Sequence, residues 1–177
     1  TNPHAAHAAI RGHRRVVLVA GGLLKGAAVD DVVRDTRDRL AGVVAIGRDR
    51  DLIIEAIARH APEVPAVTVF TGDDGRVTVQ HPSAPPETDR NAGFVPMIPA
   101  HALPPRVAAE PAHAVMARAV EVAAQLAERA EDRPDAVLLA PAAASLDMFA
   151  GYGVRGDAFA DAARALPGAR PAGGSSR

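Results

Sequence analysis

Apolar residues alternate between two periodicities along this chain. The continuous branched-apolar run at Arg15–Ala20 predicts a buried strand, and the runs at Gly42–Ile46, Pro65–Phe70 and Asp135–Ala140 predict further strands. Between them lie helical stripes. Val29, Val32, Val33, Thr36 and Leu40 share one face of a predicted helix over 29–40, with the charges opposite. Asp49 is placed to cap a helix from Arg50 to His60, and a long helix runs from Pro111 to about Glu131 on Val115, Ala119, Val122 and Leu126. Asn2 and Pro3 read as the cap and first turn of an N-terminal helix reaching about Gly12. Gly72-Asp73-Asp74-Gly75 is a turn, and Arg76–Gln80 alternates as the second arm of a hairpin. Further helices are expected at Ser145–Phe149 and Asp157–Leu166, the second capped by Asp157.

The pattern lapses over 81–110, which is rich in Pro and Ala and reads as a surface insertion, with Phe94–Ile98 a short ordered patch inside it. The tail at 167–177 has the Gly, Pro and Ser content of a disordered end. Strands separated by helices imply right-handed crossovers and a mostly parallel sheet. The expected architecture is an α/β, Rossmann-like three-layer domain over 1–166 with about five or six strands.

Composition narrows the function. Of 177 residues 48% are hydrophobic but only 3% aromatic, so the core must be Ala, Val, Leu and Ile. A net charge of −1 gives no electrostatic case for nucleic acid or an anionic membrane, and no apolar run reaches the length of a membrane span. There is no cysteine, hence no disulfide or thiol chemistry, as suits a reducing cytoplasm. A start at Thr1-Asn2-Pro3, with no initiator Met, reads as a piece of something longer.

Two strands end in turns that carry candidate chemistry. The first runs into Gly21-Gly22-Leu23-Leu24-Lys25-Gly26, the last into Pro141–Phe149. Ligands of open α/β sheets bind outside the carboxyl ends of the strands, so both turns belong to that edge. Two glycines allow close backbone approach, and Lys25 offers a point charge to a carboxylate or phosphate. The spacing is neither a P-loop nor Gly-x-Gly-x-x-Gly. On pattern alone, an ordinary strand-to-helix turn with a solvated lysine outweighs a binding site. Ser145 and Asp147 fit ordinary helix capping equally well, and Arg48 fits a solvated surface arginine. Arg155, before Asp157, is placed to pair with a nearby carboxylate. His4 and His7 lack a third ligand, so surface histidines outweigh a metal site.

As an ordered set these segments resemble the C-terminal domain of the Mur ligases, most closely the D-glutamate-adding type. The resembling parts are Thr1-Asn2-Pro3-His4-Ala5, Val19–Gly26, Ile46-Gly47-Arg48-Asp49, Val137–Phe149 and Arg155–Phe159. The Asp-Asn-Pro-Arg motif of the diaminopimelate- or lysine-adding type is absent, and folylpolyglutamate synthases fit these motifs less well. The resemblance implies a cytoplasmic, monomeric ligase of peptidoglycan synthesis. Its N-terminal domain holds a uridine nucleotide, its central domain ATP and magnesium, and its C-terminal domain D-glutamate. ATP activates an alanyl carboxylate as an acyl phosphate, which the amine of D-glutamate attacks. Carried over motif by motif, D-glutamate would be held by Thr1, Lys25, Ser145 and Tyr152, with Gly21, Gly22, Arg48, Asp147 and Arg155 in support. Tyr152 stands where the best-known form of the family has phenylalanine. By this reading the chain alone binds neither ATP nor magnesium and catalyses nothing. Richness in Ala, Arg and Asp fits a high-GC actinobacterial source. The competing reading is a stand-alone Rossmann-like binding module.

Overall fold

Chain order is helix α1 (Pro3–Arg11), strand β1 (Val16–Gly21), helix α2 (Asp30–Thr36) with a 3₁₀ turn (Arg37–Arg39), β2 (Leu40–Ile46), α3 (Arg50–His60), β3 (Ala66–Thr71), β4 (Val77–Gln80), α4 (Pro111–Arg129), β5 (Ala136–Leu139) and α5 (Tyr152–Arg164). The computed structural model describes residues 2–26, 29–82 and 111–169. Most of the expected insertion, the patch at 94–98, Thr1 and the tail from 170 lie outside the described residues.

The five strands lie in the order β4-β3-β2-β1-β5. β1 pairs in parallel with both β2 and β5, β2 pairs in parallel with β3, and β4 closes the edge antiparallel to β3 as a hairpin arm. Helices cover both faces, which is the three-layer α/β architecture the alternation predicts. In β1, Val16, Leu18 and Ala20 face one way, into a core shared with Val43 and Ala45 of β2 and with α1, α2 and α3. Val17 and Val19 face the other way, onto Val44, Ile46, α4 and the second half of α5. All six residues of β1 and all seven of β2 are buried, as strands covered on both faces must be. Small side chains in both layers let the helices approach closely.

Three local readings are corrected. The helix predicted over 29–40 ends at Thr36, and Leu40 opens β2 instead. Leu40 is 2% exposed, so its apolar position satisfied a helical stripe and a strand equally, and the sheet took it. Ser145–Phe149 forms no helix. It is a single turn in which the Ser145 carbonyl accepts from the Met148 and Phe149 amides at 3.0 and 2.8 Å. α5 starts at Tyr152, so Asp157 caps nothing and Arg155 lies inside the helix. Gly151, Gly153 and Gly156 disguise that start in the sequence. At the N-terminus, by contrast, the Asn2 side chain does accept from the Ala5 amide at 2.8 Å, with Pro3 beginning α1.

The chain direction creates a crevice. From β1 the chain leaves toward α2 on one face, and from β5 toward α5 on the other. β1 and β5 are neighbours, so their carboxyl ends form the topological switch point of the sheet.

Candidate functional site

The β1 and β5 exit loops meet across the switch point. Leu23 and Ala144 form an antiparallel bridge with reciprocal backbone hydrogen bonds of 2.9 and 3.0 Å. The Gly21 amide also donates to the Pro141 carbonyl at 2.9 Å. The loop after β2 joins them, with the Gly22 amide donating to Ile46 and the Asp49 amide to Gly22, both at 3.0 Å.

Two carboxylates fasten this junction. Asp49 occupies the N-cap position of α3 but makes no capping bond; its Oδ2 accepts instead from the Leu24 amide at 2.7 Å, correcting the capping expectation. Asp147 Oδ2 accepts from the Arg48 amide at 2.7 Å, while its buried Oδ1 has no partner among the described residues. Hydrogen bonds from amides to ionised carboxylates are the stronger kind, so each helps hold one loop against another. The crossing is also sterically tight. A Cβ on Gly47 would lie 2.6 Å from the Gly22 Cα, and one on Gly22 would lie 2.2 Å from the Ala144 oxygen.

Beside the bridge lies an open cavity of about 320 Å3, lined by Asn2, Pro3, Leu23, Leu24, Lys25 and Ala142–Ala144. Lys25 is the one charged side chain in that lining, and it makes no ion pair or hydrogen bond among the described residues. Only two described residues other than glycine have positive φ, Lys25 at 53° and Ala142 at 60°, and both line this cavity. Left-handed backbone costs an L-residue about 1–2 kcal/mol, and such strain gathers at functional sites. The first turn of α1 also faces the cavity and brings the positive end of a helix dipole to it.

The strain at Ala142 has a measurable signature. Ala142→Gly should relieve the left-handed penalty while losing a buried methyl group and gaining chain entropy in the unfolded state. We expect a net change below about 0.5 kcal/mol, whereas Ala143→Gly, also buried but without positive φ, should cost about 1–2 kcal/mol. Urea denaturation of both variants checks this, and equal losses would contradict the left-handed assignment.

The structure treats the expected site residues differently. Gly21, Gly22, Lys25, Arg48, Ser145, Asp147 and Arg155 all belong to the linked loops or pack against them. Ser145 follows Ala144 but is 4% exposed and outside the cavity lining. The antiparallel bridge explains this: it sets Lys25 toward Ala142 and Ser145 toward Gly22, on the other side of the Leu23–Ala144 pair. Tyr152 is 77% exposed at the first turn of α5 and also lies outside that lining. The Arg48 side chain is exposed, and Thr1 lies outside the described residues. Arg155 is buried at 2% exposure and donates through Nη1 to the Ala143 carbonyl at 3.0 Å, with no carboxylate among the described residues in ion-pair range. Burial lowers its pKa from the ordinary value, and the field of Asp147 opposes that. The pattern also missed Asp49 as a loop staple. Its only signal was its place directly after a strand's carboxyl end, in Gly47-Arg48-Asp49.

No family model matches the chain. Individual proteins do. Over 162 residues, 92% of this chain, it is 53% identical to the UDP-N-acetylmuramoylalanine--D-glutamate ligase of Rhodococcus jostii. Identity to the proteins of the same name is 47% in Mycolicibacterium smegmatis, over 95% of this chain, and 49% in Nocardia farcinica, over 94%. Nearly the whole chain is thus similar to proteins of that name. It spans only 28–31% of the length of these relatives, and so matches one stretch of each. The relatives are actinobacterial, in keeping with the composition.

Proposed function

We propose that this chain is the amino-acid-binding part of an ATP-dependent ligase that joins D-glutamate to UDP-N-acetylmuramoyl-L-alanine in the cytoplasm, through an acyl phosphate. One observation carries the local reading: among the described residues, the two left-handed non-glycine residues line one cavity at the switch point, and Lys25 is its one charge. Relatives named for D-glutamate supply the substrate class.

In this reading Lys25 neutralises a carboxylate of D-glutamate, the start of α1 adds its dipole, and the bridge holds the two loops at a fixed separation. Orientation of the amine is the contribution to catalysis, since positioning a nucleophile lowers the entropic part of the barrier. Ser145, Tyr152 and Thr1 contribute if closure of the remainder of the ligase reshapes the rim around the guest. Residues 1–166 act as one domain in this scheme, with 81–110 as an insertion and 167–177 as a tail.

ATP and magnesium do not fit the residues described here. Gly21 and Gly22 lie too close to Lys25 for a phosphate-cradling loop, and the described residues contain no group of three metal-binding side chains. On this reading the nucleotide step falls to the other parts of the ligase. Among the described residues no helix is long and apolar enough to cross a membrane.

Amide NMR titration of the chain with D- and L-glutamate tests the assignment. Shifts at Leu23–Lys25 and Ala142–Ala144, larger for the D isomer, are expected. Shifts confined to the hairpin β3–β4 or to the far ends of the strands would refute it.

A further inference from the structure

We propose that Arg155 is a positioning residue whose buried guanidinium sets the separation of the β1 and β5 exit loops, and through them the place of Lys25. The inference rests on the D-glutamate reading for its functional consequence, though not for its geometry. Arg155 comes from α5, yet Nη1 donates to the Ala143 carbonyl at 3.0 Å. The same nitrogen lies 3.3 Å from where a Cβ on Gly22 would stand, so the guanidinium occupies the space beside the β1 loop while bonded to the β5 loop. Gly22 and Ala143 flank the Leu23–Ala144 bridge, two residues from Lys25. Asp147 is the carboxylate whose field acts on Arg155, and it in turn holds the Arg48 amide. One cation thus bears on all three loops of the rim. A hydrophobic side chain would fill the same space while leaving the Ala143 carbonyl unpaired and the charge balance with Asp147 undone. In chemical terms Arg155 touches no guest. It acts through the backbone that carries Lys25.

The test uses Arg155→Met and Arg155→Lys in the 177-residue chain, read by amide hydrogen exchange and by D-glutamate titration. In Arg155→Met, exchange at Leu23 and Ala144 should quicken about ten-fold relative to Val17 and Val44, which lie in the central strands. Arg155→Lys keeps one charged donor and should recover at least half of that change on a logarithmic scale. The D-glutamate response at the Lys25 amide should weaken about ten-fold in Arg155→Met and recover in parallel with the exchange. If Arg155→Met does not fold, Arg155→Lys alone decides, with Leu23 and Ala144 expected to quicken about three-fold against the same references. Equal acceleration of all four amides, or no change at Leu23 and Ala144, would reduce Arg155 to core packing and overturn the proposal. If even the unaltered chain gives no response to D-glutamate, the substrate assignment falls, while the exchange ratios still decide whether Arg155 sets the loops.

Discussion

Lys25→Ala, introduced into a ligase carrying this chain, should lower kcat/KM for D-glutamate by about 10- to 100-fold while leaving the fold intact. The magnitude follows from losing one charge-assisted hydrogen bond, worth about 1.5–3 kcal/mol. Most of the loss should fall on KM for D-glutamate, with KM for ATP unchanged, because on the proposed reading Lys25 grips the amino acid before and during attack alike. Stability should hold because the Lys25 side chain is exposed and has no partner among the described residues. Alanine also meets the same left-handed penalty as lysine at φ 53°, so the backbone strain cancels in the comparison. Arg48→Ala serves as a charge control. Its side chain leaves the same edge but lies outside the cavity lining, so it should change kcat/KM by less than about three-fold. Unfolding of Lys25→Ala, or an equal loss in Arg48→Ala, would remove Lys25 from the site.

Gly22→Ala should destabilise the chain by about 3 kcal/mol or more. A backbone φ of 124° lies outside even the left-handed region that L-residues tolerate. The new Cβ would stand 2.2 Å from the Ala144 oxygen, and that obstacle is backbone rather than a side chain able to swing away. Relief requires breaking the Leu23–Ala144 bridge, which links the two strand exits. Gly26→Ala isolates the conformational part of the effect. Gly26 has φ 79° but nothing within 4 Å of its added Cβ, so a loss of about 1 kcal/mol is expected. Urea denaturation of the two variants measures the difference. Near-equal losses would show that the loops do not touch as described.

Much of the architecture was legible as pattern. Four continuous apolar runs became β1, β2, β3 and β5; β1 and β2 are buried throughout, because strands covered on both faces have no polar side to confuse the reading, while β5 is only partly buried. The alternating Arg76–Gln80 segment became the edge strand β4, and Asn2 and Pro3 marked the start of α1 correctly because a cap is a local event. Boundaries failed where two elements shared a residue type. Leu40 suits both the stripe of α2 and the start of β2, and only its sheet partner Val16 decides between them.

The candidate site divides along the same line. Glycines at a strand exit followed by a lysine can be seen in one dimension, and so can a serine and aspartate after the last strand. Their mutual arrangement cannot. The direction of the Leu23–Ala144 pairing sends Ser145 away from the cavity that Lys25 lines. Asp49 looked like a helix cap, and instead holds Leu24 across 25 positions of chain. Arg155 looked like a loop residue, and instead lies buried in α5 beneath the junction. Elements, their order and the chemical types at the rim follow from local propensity and periodicity, which act within a few residues. Which loop crosses which, and which polar group is buried there, depends on contacts between segments far apart in the chain, whose energies appear only once the sheet has brought those segments together.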